Sequence, residues 1–394
     1  MSASPPRVLQ VVDSLGMGGA ETWLLEVLRL WSRNRAGTME FVCTSGKVGI
    51  FDEEARALGA TIHYLPFGRS HLPRFIRELR RILKAGRYQA IHDHQDFVSG
   101  WHFLFGGGAL PAVRVTHVHN PSYQIRNNYG VTRARRAATA IGARLVARYA
   151  THITGTSRQI ITEFGFDSPR FQDLPKSAVY CGIDPARFLG ETDAARISVR
   201  REFGWPDDSK IVLSVGRIDQ SAELWHAQNH KNSGFVVSVG IESARRDPNI
   251  RVLLAGKGSP AVKVLCERIA AAGLSDRVRF AGIRRDIERL MLASDILLFP
   301  SRGEGLGMAT VEAQAAGLPV LASTAVPREC VVVPDLVHFC DLEGGAGRWA
   351  EELLRVAGSP GDRQAANRLV AESRFAITNS AAALLQLYRG TPLT

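Results

Sequence analysis

Cysteine is scarce in this chain. Its 394 residues hold five, Cys43, Cys181, Cys266, Cys330 and Cys340, an odd and scattered set with no Cys-x-x-Cys pair. That excludes a disulfide framework and a zinc ribbon, and it suits reduced thiols in a cytosol. Long apolar runs are missing too: no stretch of about 18 uncharged apolar residues occurs, so no helix is expected to span a bilayer. The N-terminus enters a strand-like run, Arg7 to Val12, without a charged-then-apolar leader, and a cytoplasmic protein is expected. Acidic residues are thin in the first half. Residues 1–190 carry 24 Lys and Arg against 14 Asp and Glu, a balance of +10; the remainder carries 25 against 24, a balance of +1. Such asymmetry points to an anionic partner, a membrane or a nucleic acid. The basic segments lack interleaved aromatics, which disfavours the nucleic acid.

What is present is ordinary for a globular protein, with 45% apolar and 22% charged residues. The length suits two domains of roughly 180 residues each.

The most informative stretch runs from Asp295 to Ser323. Ile296 to Phe299 reads as a buried strand, broken by Pro300 and by glycines at 303, 305 and 307; Met308 to Ala316 is helix-forming and ends at Gly317 and Pro319; Val320 to Ala322 reads as the next strand. Strand, glycine loop, helix and strand make the unit of a parallel sheet, and ligands of such sheets sit at this loop. Glu304 and Glu312 frame it with seven residues between them. Glycines at a helix start favour a phosphate, whereas a carboxylate repels one. The two glutamates therefore make better sense as acceptors for hydroxyl donors, such as those of a sugar and a ribose, and the loop suggests a nucleotide sugar. Taken without this context, two glutamates would be solvated charges beside a helix.

Glu304-Gly-Leu-Gly-Met-Ala-Thr-Val-Glu312-Ala, followed by Gln-Ala-Ala-Gly-Leu-Pro-Val, resembles the Glu-x7-Glu segment of family 4 glycosyltransferases, retaining enzymes of GT-B fold. Residues 325–329, Ala-Val-Pro-Arg-Glu, and Trp349-Ala-Glu resemble the bacterial capsular and exopolysaccharide members. The resemblance implies an α/β chain with two Rossmann-like parallel-sheet domains facing an interdomain cleft. Their expected limits are 1–188 on the acceptor side and 189–372 for the nucleotide sugar, with a C-terminal helix, 373–394, crossing back.

In chain order, Arg7 to Asp13 reads as the first strand and Ala20 to Trp31 as a helix, joined by a turn with Gly16, Gly18 and Gly19. The turn lacks the third glycine of the dinucleotide fingerprint but still sets glycines at a helix N-terminus, with a plain strand-to-helix connection as the alternative. In the family that loop approaches the donor phosphates and the acceptor. Phe41 to Thr44 and Thr61 to Leu65 read as strands, with Ile50 to Leu58 a helix between them. Pro73 to Arg87 reads as a helix with an apolar stripe, Phe75, Ile76, Leu79, Ile82 and Leu83, beside a cationic face of Arg74, Arg77, Arg80, Arg81, Lys84 and Arg87. That face is either simply solvated or docks on an anionic bilayer, with the basic segment Arg126 to Arg148, helical in its second half, as its companion.

His92-Asp93-His94-Gln95-Asp96 looks like a strand tip with both histidines on one face; a metal site there would need distant ligands. Val113 to Pro121 is a second strand ending in histidine. Alternation puts His117 and His119 on one face, with His119 nearest the ligand-binding end. His119 resembles the family's active-site histidine against the donor sugar, and His117 remains the alternative. Thr151 to Ser157 reads as the last strand of the first domain, running into a helix capped by Ser157. Val179 to Asp184 resembles the exit from that domain, with Cys181 where the family commonly has asparagine.

Lys210 to Val215 opens the second domain and runs into Gly216 and Arg217. In the family this arginine and a following lysine hold the donor diphosphate; Lys231 is the lysine available, separated from Arg217 by thirteen residues, more than is usual. Ile250 to Ala255 is another strand, followed by Gly256-Lys257-Gly258-Ser259. Val278 to Ala281 leads to Gly282-Ile283-Arg284-Arg285-Asp286, where the family meets the base. The implied assignment is Glu304 on the donor sugar, Glu312 on the ribose, Gly305, Leu306 and Gly307 at the donor, and Arg217 with Lys231 on the diphosphate. No Asp-x-Asp occurs, so no metal or other cofactor is expected. The expected partners are a nucleoside diphosphate sugar, UDP-linked, and a saccharide or lipid-linked saccharide acceptor, at or near the inner face of the plasma membrane. A nucleotide-sugar epimerase of the same fold, or a non-catalytic scaffold binding the same donor, are the alternatives. Sugar, linkage and oligomeric state leave no mark in the sequence.

Overall fold

A computed structural model describes residues 5–16, 18–129, 132–223, 226–357 and 361–391. Met17 of the glycine turn and Trp225 of the Arg217 to Lys231 connection lie outside the described residues. The chain divides into two compact units, Met1–Ile183 with Ile377–Thr394, and Asp184–Ala376.

The first unit runs β1 (Arg7–Val12), α1 (Gly19–Asn34), β2 (Thr38–Cys43), α2 (Asp52–Ala57), β3 (Thr61–Tyr64), α3 (Leu72–Gly86), β4 (Ala90–Asp93), α4 (Ser99–Gly106), β5 (Val113–Val118), α5 (Ser122–Tyr129), α6 (Arg133–Tyr149), β6 (His152–Gly155), α7 (Arg158–Glu163) and β7 (Lys176–Ala178). Its seven strands lie in the order β3-β2-β1-β4-β5-β6-β7, all parallel. Parallel neighbours need crossover connections, and the intervening helices supply them. Leu9, Val11, Ile91 and Ile153 of the sheet pack with Phe75 and Leu79 of α3, Phe103 of α4 and Val146 of α6. One expectation is corrected: the Thr151 to Ser157 segment is not the last strand, because Lys176–Ala178 pairs outside it. The basic segment is helical in its second half, as expected, and a further helix covers Ser122–Tyr129.

The second unit runs α8 (Thr192–Phe203), β8 (Lys210–Val215), α9 (Ser233–Arg246), β9 (Ile250–Ala255), α10 (Ala261–Ala271), β10 (Val278–Gly282), α11 (Ile287–Ala293), β11 (Ile296–Phe299), α12 (Met308–Ala315), β12 (Val320–Ser323), β13 (Val337–Cys340), α13 (Gly345–Val356) and α14 (Arg363–Glu372). Its six parallel strands are ordered β10-β9-β8-β11-β12-β13. Val212, Val252 and Leu298 meet Phe235 of α9 and Trp349 and Leu353 of α13 in its core. The strand, loop, helix, strand reading of 296–323 holds, with Leu297 in register with Val320.

The last helix, α15 (Ile377–Tyr388), belongs to the first unit. It buries Ile377, Ala381, Leu384 and Leu387, and Trp23 of α1 donates its indole N–H to Ser380 Oγ at 2.8 Å. Among the described residues no helix is long and apolar enough to cross a membrane. Both sheets reverse their strand order once, between β1 and β4 and between β8 and β11, and ligands of doubly wound sheets bind at the carboxyl ends beside such a reversal.

Candidate functional site

In the second unit β8 ends at Val215, and the chain turns through Gly216 into Arg217. A Cβ on Gly256, after β9, would stand 1.9 Å from the Gly216 carbonyl oxygen, so these two backbones can meet only because the residue is glycine. The chain then departs and is drawn back by Asp219. That buried carboxylate accepts the backbone N–H groups of His230 at 2.8 Å, Lys231 at 3.0 Å and Ser233 at 2.7 Å, and the Ser233 hydroxyl at 3.2 Å. The long Arg217 to Lys231 spacing is closed in this way. The Lys231 stem lies over Gly216, its Cδ 3.2 Å from where a Cβ would stand, and its ammonium is 5.1 Å from the centre of the Phe299 ring. It donates to Glu304 Oε1 at 2.6 Å. Arg217 is exposed and makes no hydrogen bond or ion pair among the described residues.

Beyond β11 the loop leaves Glu304 partly exposed and buries Gly305 and Leu306. Gly307 takes φ of +90°, which a side chain would strain, and opens α12 without a side-chain cap; its carbonyl oxygen accepts the Thr310 N–H at 2.9 Å and hydroxyl at 2.6 Å. Glu312 follows on α12, partly exposed, its carboxylate without a hydrogen bond among the described residues. Burial pushes its carboxyl up to about 7, against the pull of the Arg187 guanidinium, while the Glu288 carboxylate adds to the rise and Lys231 opposes it. The structure thus brings Lys231, Glu304 and Glu312 together at the end of β8 and β11, with Arg217 on the adjoining turn.

In the first unit all of β4 is buried, and alternation sends its side chains to opposite faces. Asp93 points away and lies 2.6 Å from Nδ1 of the buried His102. His92 and His94 share the other face, and β5, in register with β4, sets His117 and His119 beside them. Ring centres are 4.0 Å apart for His117 and His119, 4.2 Å for His92 and His94, 5.0 Å for His94 and His119, and 5.1 Å for His92 and His117. Trp23 packs against three of them, 5.7 Å from His117 and 6.4 Å from His94 and His119. Burial holds His92, His94 and His117 well below the usual histidine range and His119 down to about 3, so all four are neutral imidazoles at ordinary pH. Nitrogens of His92, His94 and His117 lie within 4.8 Å of one another, so the distant ligand that a metal at the strand tip would need comes from β5. Their hydrogen bonds to one another and to neighbours compete with that use.

The glycine turn leads into α1 beside this cluster. A Cβ on Gly16 would lie 3.5 Å from Ser14 Oγ, one on Gly18 would meet the Glu21 carboxylate at 2.2 Å, and one on Gly19 would meet nothing within 4 Å. Burial raises the Glu21 carboxyl, and its charge beside Cys181 adds to the burial that pushes that thiol up to about 12. Sequence reading missed Asp219, Gln10, Trp23 and Tyr388. A buried strand interrupted by Gln10 was a visible signal; Asp219 and Tyr388 had none, since their partners lie far along the chain.

Two family descriptions match the chain: Glycosyl transferase 4-like domain over residues 18–170, and Glycosyl transferases group 1 over residues 196–365. The chain is 28% identical to EpsF of Bacillus subtilis strain 168, described as a glycosyltransferase, over 98% of this chain and 97% of that one. It is 26% identical to the capsular polysaccharide biosynthesis glycosyltransferase CapH of Staphylococcus aureus, over 80% of this chain and 81% of the relative. In shape it resembles Alr3699/HepE of Anabaena, solved in complex with UDP, with a TM-score of 0.76 and 18% identity over 98% of this chain and all of that one.

Proposed function

The chain belongs to the glycosyltransferase family that these matches describe, with the GT-B fold, and from that premise we propose that it moves a sugar from a UDP-linked donor to a lipid-linked saccharide during assembly of a polysaccharide. The observation that carries this reading is Lys231: a cation at the sheet's switch point, 2.6 Å from Glu304 and beside the exposed Arg217. A diphosphate arriving there draws Lys231 toward its own oxygens, and Glu304 is released to accept hydroxyl hydrogens from the donor sugar. Glu312 receives the ribose hydroxyls, and the backbone at Gly305, Leu306 and Gly307 lies against the donor. Arg217 and Lys231 compensate the charge that grows on the leaving diphosphate, so no metal is needed for that task.

The transfer retains configuration. The bond from the anomeric carbon to the phosphate oxygen breaks as the acceptor oxygen bonds on the same face, and the departing phosphate takes the acceptor's proton. No protein carboxylate serves as base, and His119 lines the sugar. The name of EpsF supports the transfer, that of CapH the polysaccharide, and the UDP held by HepE the nucleotide in this reading. The acceptor's lipid is approached through α3, whose Arg77 and Arg81 side chains are 73% and 68% exposed along a groove shared with Ile76, Arg80 and Lys84. Such a face fits an anionic bilayer.

The test supplies radiolabelled UDP-, GDP- and ADP-sugars, with EDTA, to the enzyme and bacterial membranes. Label entering the organic-extractable fraction from the UDP donor alone, and lost with Arg217→Ala, supports the reading. Isomerised donor without any acceptor would move it to an epimerase, and neither product from any donor would overturn it.

A further inference from the structure

Gln10 stands between two arms of the histidine cluster. Its amide oxygen lies 2.9 Å from His94 Nε2, and its NH2 donates to the Tyr388 hydroxyl at 3.0 Å. An amide oxygen can only accept and an amide nitrogen only donate, so His94 carries its proton on Nε2 and Tyr388 must pass its own proton onward. The Tyr388 proton goes to His92 Nδ1 at 2.6 Å. His92 is then protonated on Nε2 and donates to His117 Nδ1 at 3.0 Å. On the other arm His94, protonated on Nε2, is bare at Nδ1 and accepts from His119 Nε2 at 2.7 Å.

At the far end His117 is bare at Nδ1 and carries its proton on Nε2, which is buried without a hydrogen-bond partner, and the chain ends there.

We propose that Gln10 and His94 are positioning residues that hold His119 as a single tautomer, protonated on Nε2 with a bare Nδ1, and that Tyr388, His92 and His117 continue the same directional hydrogen-bond chain beyond Gln10. Among the described residues His119 Nδ1 has no partner, and the side chain is partly exposed. It therefore offers a hydroxyl an acceptor and never a donor. That this hydroxyl is the donor sugar's rests on the function proposed above; the chain itself does not, and it is tested without turnover.

The experiment is long-range 15N–1H correlation of the full-length protein labelled on its histidine side chains, with His119→Gln to assign the resonance. His119 is expected as the Nε2–H tautomer alone. Gln10→Leu, which removes the acceptor for His94, should give mixed tautomers at His94 and His119; Gln10→Glu, which restores an acceptor, should return both to the wild-type form. A wild-type His119 protonated on Nδ1, or a folded Gln10→Leu protein with His119 unchanged, would overturn the proposal. Should Gln10→Leu fail to fold, Tyr388→Phe should leave His119 alone and mix the tautomers of His92, and an unmoved His92 would count against the chain. Stoichiometric Zn2+ binding that shifts the nitrogens of His92, His94 and His117 would overturn it as well, by making them ligands.

Discussion

At the scale of single residues, Glu312 links stability to pH. Its carboxyl titrates near 4.5 when free and is pushed up to about 7 in the fold, so its favourable contribution is complete below 4.5 and is lost as pH rises through 7. Glu312→Gln has no such loss. Relative to wild type the variant should gain on the order of 1–2 kcal/mol between pH 4 and pH 8, a value reduced for partial exposure, and thermal melts across that range would show it. A gap between the two melting curves that does not widen toward pH 8 would contradict this. Asp219 is a buried carboxylate saturated with donors. Asp219→Asn turns an amide NH2 toward backbone N–H groups, which should cost about 2–4 kcal/mol in denaturant unfolding and loosen Lys231. Glu304 and Glu312 were legible because glycines, proline and spacing mark their loop. Asp219 was not, because its role consists of hydrogen bonds to residues 11 to 14 positions later that fit no motif.

Among the elements, α15 and α3 make separate predictions. Leu384 is fully buried where α15 packs in the first unit, so Leu384→Ala should destabilise the protein by about 2–5 kcal/mol, read as a shifted urea midpoint at unchanged slope. On α3, Glu78 pairs with both Arg77 and Arg81, yet the face stays strongly cationic. The protein should float with anionic liposomes, and the combined change of Arg77, Arg80, Arg81 and Lys84 to Glu should abolish flotation; undiminished binding would refute the docking role. Long periodic elements such as α3 and the apolar strands were readable from sequence. Lys176–Ala178 was not, since three partly buried residues make no apolar run, and its place is decided by pairing with β6. The same-face pairs His92 with His94 and His117 with His119 followed from alternation alone. Their meeting depends on β4 and β5 being neighbours, and the Tyr388 contact spans 296 positions.

For the molecule as a whole, the net charge of +11 is concentrated in residues 1–190, whereas the donor site proposed at Arg217 and Lys231 belongs to the nearly balanced remainder. Bulk positive charge is therefore a poor explanation for nucleotide binding, and a local cation pair is a good one. Two parallel sheets, each with its cluster at a strand-order reversal, put the proposed donor site in one unit and the histidines in the other. The most direct measurement is calorimetric titration of UDP, GDP and ADP into the protein in EDTA, repeated with Arg217→Ala and with Lys231→Met. Tight binding of UDP, weakened at least tenfold in each variant, is the predicted result. UDP binding that survives both substitutions, or no binding of any of the three nucleotides, would contradict the donor site described here.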